Sequence, residues 1–164
     1  MPDKFAHCTF CGARFTPGQP WPRRCAACGE TTYQNPKPVA VAVQPVGAGL
    51  LVVRRGIPPA LDRLALPGGY IDVGESWQAA ASRELFEEVG LETDPAAVRH
   101  FDTVSAPDGT LLVFGLFPGV PSVPPSAPND ETLGWEILYG PTELGFSIHT
   151  AIATRFFTPA RRPV

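Results

Sequence analysis

Residues 69–91, GYIDVGESWQAAASRELFEEVGL, place a glycine-bearing turn against a segment crowded with carboxylates. Trp77, Ala81, Leu85 and Val89 recur every fourth residue with no Pro or Gly between them, which predicts a helix over 76–89 bracketed by Gly74 and Gly90. At 3.6 residues per turn, Glu84, Glu87 and Glu88 fall within roughly 100° of arc beside the apolar stripe, with Cβ atoms about 5–6 Å apart. Like charges at such spacing cost a few tenths of a kcal/mol per pair in water, and more in a cleft. Arg83 alone does not neutralise three carboxylates. A hard dication does, because magnesium takes one or two carboxylates together with water and phosphate oxygens. A run of charges is ordinarily a solvated helix face. Here Gly69, Glu75, Arg83, Glu84, Glu87, Glu88 and Gly90 coincide with aliphatic Leu85 and Leu91, an arrangement expected by chance at on the order of one in a billion start positions.

Upstream, the apolar run 64–66 stops at Pro67-Gly68-Gly69, so the chain is expected to leave a short strand through a tight glycine turn. Glycines there let backbone approach a ligand, and a carbonyl at Gly68 or Gly69 would add an oxygen donor.

These positions match GX5EX7REUXEEXGU, with U aliphatic, at every specified place, and the segment resembles a complete Nudix box. The resemblance implies hydrolysis of a nucleoside diphosphate linked to another moiety, by water attack on phosphorus with bound magnesium or manganese. It implies Glu84, Glu87, Glu88 and a Gly69 carbonyl as metal ligands, Arg83 as the residue that orients the glutamates, and Glu75 as a brace of the loop. In this family the general base is a box glutamate or an acid on a later loop; Glu131, beside Asp130, is the candidate outside the box.

The chain has 164 residues, 44% of them hydrophobic, and a formal net charge of −3. That suits one domain with a sizeable core plus a small appendage, and gives no general attraction to nucleic acid or anionic lipid. No apolar run reaches signal-peptide or membrane length, so a cytoplasmic protein with a small nucleotide substrate and no membrane partner is expected. All four cysteines lie near the start, as Cys8-x2-Cys11 and Cys25-x2-Cys28. In a reducing compartment paired C-x2-C units read as metal ligands rather than disulfides. Four thiolates would close a tetrahedral zinc site with no open position, making that zinc structural. Residues 1–30 carry Lys4, Arg14, Arg23 and Arg24 against Asp3 and Glu30, but four thiolates on zinc bring a net −2, so nucleic-acid binding is not expected of this ribbon.

Several Nudix subfamilies carry such a ribbon, and Thr31-Thr32-Tyr33-Gln34-Asn35-Pro36-Lys37-Pro38 together with Leu66-Pro67-Gly68-Gly69-Tyr70 resembles the group that includes the FAD and ADP-ribose pyrophosphatases. A zinc ribbon over 1–34 and a Nudix domain over 35–164 are the expected domains. The SQPWPFPxS signature of the NADH-pyrophosphatase subgroup is missing, since the chain reads Ser105-Ala106-Pro107-Asp108-Gly109 in that region. ADP-ribose or FAD is therefore favoured over NADH. Nudix relatives are frequently homodimers, which makes a dimer an expectation by analogy.

Strands are expected over 39–43, 50–54, 98–104, 111–117 and 133–138, and a closing helix over 147–157, where Ile148, Ile152 and Phe156 recur at four-residue steps. With two helices, these predict an α/β/α sandwich with a mixed sheet. The Pro-rich stretch 118–128 should be an extended surface loop. Arg54, Arg55 and Arg63 precede the box and could meet phosphates. Tyr70, Phe114, Trp135 and Phe146 could stack on a base, or belong to the core. A second class of function stays open at this point, a nucleotide-sensing module that uses the ribbon to contact a partner; retention of every box carboxylate weighs against it.

Overall fold

Two strands, the fully apolar cores of 39–43 and 50–53, organise the larger part of the molecule because both of their faces are covered. The computed structural model describes residues 5–158, and the chain divides into two compact units, Met1–Pro36 and Lys37–Val164. Asp3 and Lys4, counted above in the ribbon's charge, lie outside the described residues.

The first unit holds a two-stranded antiparallel ribbon, β1 (Arg23–Arg24) with β2 (Thr31–Thr32). Its two C-x2-C segments fold alike: the N–H of Gly12 donates to Cys8 O at 3.0 Å and that of Gly29 to Cys25 O at 2.9 Å. Both glycines sit in the left-handed region, φ 75° and 77°, where a side chain would be strained.

In the second unit the elements run β3 (Lys37–Val43), β4 (Pro45–Val46), β5 (Gly49–Arg55), β6 (Leu64–Ala65), β7 (Gly68–Tyr70), α1 (Trp77–Val89), a 3-10 turn (Pro95–Ala97), β8 (Arg99–Ser105), β9 (Thr110–Leu116), β10 (Thr132–Leu138) and α2 (Ser147–Phe157). One sheet is mixed, ordered β7-β3-β9-β8, with β3 and β9 parallel. The other is antiparallel, β10-β5-β4 with β6 against β5. Side chains alternate across each strand. Ala40 and Ala42 of β3 and Leu51 and Val53 of β5 therefore pack with Ala81, Leu85 and Val89 of α1. Their neighbours Val41, Val43, Leu50 and Val52 pack on the other side with Ile152 and Ala153 of α2. A helix on each face is the α/β sandwich the pattern implied. None of the helices among the described residues is long and apolar enough to cross a membrane.

The glycine turn expected at 67–69 is instead a strand. Gly68–Tyr70 pairs antiparallel with β3, Val41 opposite Gly68 and Ala40 opposite Gly69. The glycines serve proximity here: a Cβ on Gly68 would collide with Ala40 O, and one on Gly69 with the Glu84 carboxylate. The box thus enters its helix from a sheet edge, which ties the loop to the core. The proline-rich loop is pinned rather than free, with Trp135 donating from Nε1 to Pro124 O and from its backbone N–H to Ser126 Oγ.

Candidate active site

Helix α1 begins at a Ser76 cap, whose Oγ accepts from Ala79 N–H, and ends at Gly90 in the left-handed conformation. Its buried face holds Leu85 and Val89, and the same face carries Glu84 and Glu88 to the edge of β7. Arg83 is the hub beside them. Its guanidinium meets both Glu75 oxygens at 3.1 Å, Glu84 at 2.7 Å, Glu87 at 2.9 Å and Tyr70 O at 2.9 Å. A planar fork bonded on all sides fixes three carboxylates at once. Glu75 also accepts from Asp72 N–H, so it braces the loop as well as the arginine. Paired with Arg83, its carboxyl is held below the ordinary range.

Glu88 lies deepest. It is almost fully buried, accepts from Gly68 N–H at 3.0 Å, and makes no ion pair among the described residues, although the Arg55 charge acts on it. Burial pushes its carboxyl up to about 8, with the neighbouring Glu84 and Glu131 charges adding to the effect. Burial also raises Glu84, against the opposing pull of Arg83. The chemistry of the donors suits a hard dication, carboxylate oxygens with a Gly69 carbonyl beside them, and a bound cation would remove the cost of ionising Glu88; among the described residues the group whose ligand atoms already converge is the cysteine one.

Arg55, Gly69, Tyr70, Arg83, Glu84, Glu87 and Glu131 all line one open cavity of about 540 Å³. Glu88 lines an adjoining acidic recess with Glu87, Asn129, Asp130 and Glu131. Arg54 does not reach the cavity. Alternation along β5 turns it away from Arg55, and it pairs with Glu136 at 2.6 Å and Asp62 at 3.4 Å. Arg63 is likewise engaged, with Glu143. Arg55 makes no ion pair among the described residues; its Nε donates to Pro59 O, and its guanidinium lies 5.3 Å from the Phe146 ring centre. Of the aromatics, Tyr70 and Phe146 line the cavity, Phe114 is fully buried core, and Trp135 packs against the α1 side of the core.

Two residues of the site escaped the sequence reading. Asn129 donates from its side-chain amide to Glu87 O at 2.8 Å and accepts from the N–H groups of Glu131 and Thr132, so it staples the acidic loop to the last turn of α1. His149 of α2 faces the cavity from beneath. An N-x-x-T spacing is a weak signal for the first; nothing in a lone helical His marks the second.

The four cysteines of the first unit bring their sulfurs within 4.8 Å of one another. Cys8 and Cys28 Sγ lie 3.7 Å apart, and Cys11 and Cys25 Sγ 3.6 Å. A tetrahedral zinc with bonds of about 2.3 Å needs edges of about 3.8 Å. The Cys11 and Phe10 backbone N–H groups hold the Cys8 thiol down to about 6, which suits a thiolate ligand.

Comparison with known proteins agrees with this geometry. The chain is 30% identical over 112 residues to the NAD-capped RNA hydrolase NudC of Deinococcus radiodurans, covering 64% of this chain and 40% of that protein. It therefore spans about two fifths of that relative's length. A NUDIX hydrolase structure from Nitrosomonas europaea superposes with a TM-score of 0.71 at 21% identity, over 93% of this chain and 90% of the other, and shows the same fold. A bifunctional NMN adenylyltransferase/ADP ribose pyrophosphatase from Francisella tularensis matches at 28% identity and a TM-score of 0.56, over 64% of this chain and 34% of that one. The model of the NUDIX domain family matches residues 36–157, so the chain belongs to the NUDIX domain family.

Proposed function

We propose that this protein hydrolyses the pyrophosphate bond of a nucleoside diphosphate-linked substrate, with ADP-ribose or FAD ahead of NADH. The observation that carries the reading is the buried Glu88 beside Glu84, Glu87 and Glu131, with Arg83 holding the first two of its neighbours in place. Glu84, Glu87 and Glu88 would hold magnesium or manganese. Bound there, the ion would neutralise the pyrophosphate and lower the pKa of an attacking water. Arg55, which makes no ion pair among the described residues, would grip a phosphate, while Arg83 stays with the glutamates. Tyr70 and Phe146 offer ring faces to the nucleoside. Glu131 is a carboxylate outside the box that lines the cavity, as Asp108 also does, and it would take the proton of the water. The similarity to an ADP ribose pyrophosphatase supports ADP-ribose, and the missing SQPWPFPxS signature weighs against NADH despite the similarity to an NAD-capped RNA hydrolase. The cysteine cluster would carry a structural zinc.

A product assay with magnesium or manganese over ADP-ribose, FAD, NADH, diadenosine polyphosphates and nucleoside triphosphates tests this. Two phosphate monoesters from ADP-ribose or FAD are expected. Glu87→Gln and Glu88→Gln should each lower kcat by at least about two orders of magnitude while the fold persists, because charge is lost without volume. Turnover at the wild-type level in both variants would sink the metal assignment.

A further inference from the structure

Val39, Val41, Leu66, Leu112 and Ile148 give the cavity an apolar wall, and His149 lines the cavity with them. His149 is buried, with its ring set edge-on to Phe114 at 5.9 Å and tilted against Phe146 at 5.1 Å between centres. Its Nδ1 accepts from Leu66 N–H at 3.1 Å. An imidazole nitrogen that accepts carries no proton, so the neutral ring must carry its proton on Nε2. Burial and the nearby Arg55 charge press in the same direction, lowering the ring to about 4. Among the described residues nothing accepts a hydrogen bond from that Nε2. One ring nitrogen thus fixes the tautomer, and the other is left as a neutral donor at the cavity wall.

Resting on the hydrolase reading above, we propose that His149 is a specificity-determining residue whose Nε2–H binds a ring-nitrogen acceptor of a purine base seated against the apolar wall. The phosphates belong with the box glutamates, and Arg55, whose guanidinium lies 5.3 Å from the centre of the Phe146 ring that packs on His149, would reach the phosphate nearest the base. A neutral donor between apolar and aromatic groups is matched by a neutral, planar acceptor, which a heteroaromatic ring nitrogen supplies. Leaving that donor unpaired in the bound complex costs affinity, and this is what makes it discriminate.

Deaza bases test the idea, since they exchange one ring nitrogen for C–H at constant shape. The probes are AMP and its 1-, 3- and 7-deaza analogues, with binding to the full chain measured by calorimetry in the absence of turnover. Wild type should bind one of the three about 5- to 100-fold more weakly than AMP. His149→Asn keeps an acceptor for Leu66 N–H but loses the cavity donor; it should bind AMP as weakly as wild type binds that analogue, and show no further loss with the analogue. His149→Gln, which returns an N–H near the Nε2 position, should recover part of the discrimination. The imidazole nitrogen resonances of His149 should report a neutral Nε2–H ring that shifts when AMP is added. Equal binding of AMP and all three analogues by wild type overturns the proposal, as does discrimination that survives in His149→Asn, or no AMP binding at millimolar concentration. Discriminating binding without hydrolysis of any dinucleotide would overturn the hydrolase reading and leave the role of His149 standing.

Discussion

A single carboxylate concentrates the chemistry of the site. The ionised form of Glu88 is disfavoured by burial and by two neighbouring acids, and the Gly68 N–H and the Arg55 charge offset this only in part, so a cation bound beside it would relieve the cost. A carboxyl raised from 4.5 to about 8 binds its proton more tightly in the folded than in the unfolded chain. Metal-free protein must then lose stability as pH rises through that window, since the folded state progressively surrenders a proton it holds preferentially. Cation binding displaces the same proton, so manganese affinity should rise by about tenfold per pH unit between about pH 6 and 8, and level off above. Calorimetry at several pH values checks the slope. Glu88→Gln should both flatten it and remove the matching loss of metal-free thermal stability; a wild-type affinity independent of pH over this range would exclude Glu88 as a ligand. Arg83 is the complementary case, a cation whose every contact is with the loop and the glutamates, which is why it is no candidate for gripping substrate.

At the scale of elements, the junction of β7 and α1 decides whether the carboxylates converge. Gly69 contributes by lacking a side chain: a Cβ there would occupy the space of the Glu84 carboxylate. Gly69→Ala should displace Glu84 and break its 2.7 Å bond to Arg83, costing activity about 10- to 100-fold, as loss of groups that orient a metal site does, while stability changes little. Steady-state kinetics beside a melting curve reads the two effects apart; full activity in the alanine variant would show that Glu84 has room to spare. This junction was only half legible in the sequence. The helix could be read from Trp77, Ala81, Leu85 and Val89, with Gly74 and Gly90 as its brackets, because periodicity and helix breakers are local; the structure adds Ser76 as its cap. Two glycines after a proline look like a turn in any sequence, whereas their pairing with Val41 and Ala40 depends on a strand some thirty residues upstream. The same distance hides Asn129, whose amide closes the last turn of α1 from forty-two positions downstream.

Across the whole molecule, alternation along β3 and β5 does double duty. It sends one set of side chains to α1 and the other to α2, and it sends Arg55 to the cavity while Arg54 goes to Glu136. Adjacent arginines were indistinguishable as phosphate ligands in the sequence because which face of β5 is open follows from long-range pairing. His149 was hidden for a similar reason: its tautomer and its exposure to the cavity come from Leu66 and Phe146, which only the fold brings to it. The cysteines are the opposite case, since spacing alone specified the knuckles that bring four sulfurs together. Among the described residues, those that line the cavity belong to the Lys37–Val164 unit, and all four sulfurs to Met1–Pro36. Zinc and hydrolysis should therefore separate. The purified full chain should hold one zinc, and Cys8→Ser combined with Cys25→Ser should abolish it, because two thiolates do not close a tetrahedral site. The first unit, with a core of little more than Cys8, Cys25 and Phe15, should then lose its protection against proteolysis. Manganese-dependent kcat/KM should stay at its wild-type level, since no cavity group has changed. Zinc content by atomic emission, limited proteolysis and turnover on one preparation measure all three, and a loss of turnover in step with zinc would make the ribbon part of the catalytic apparatus.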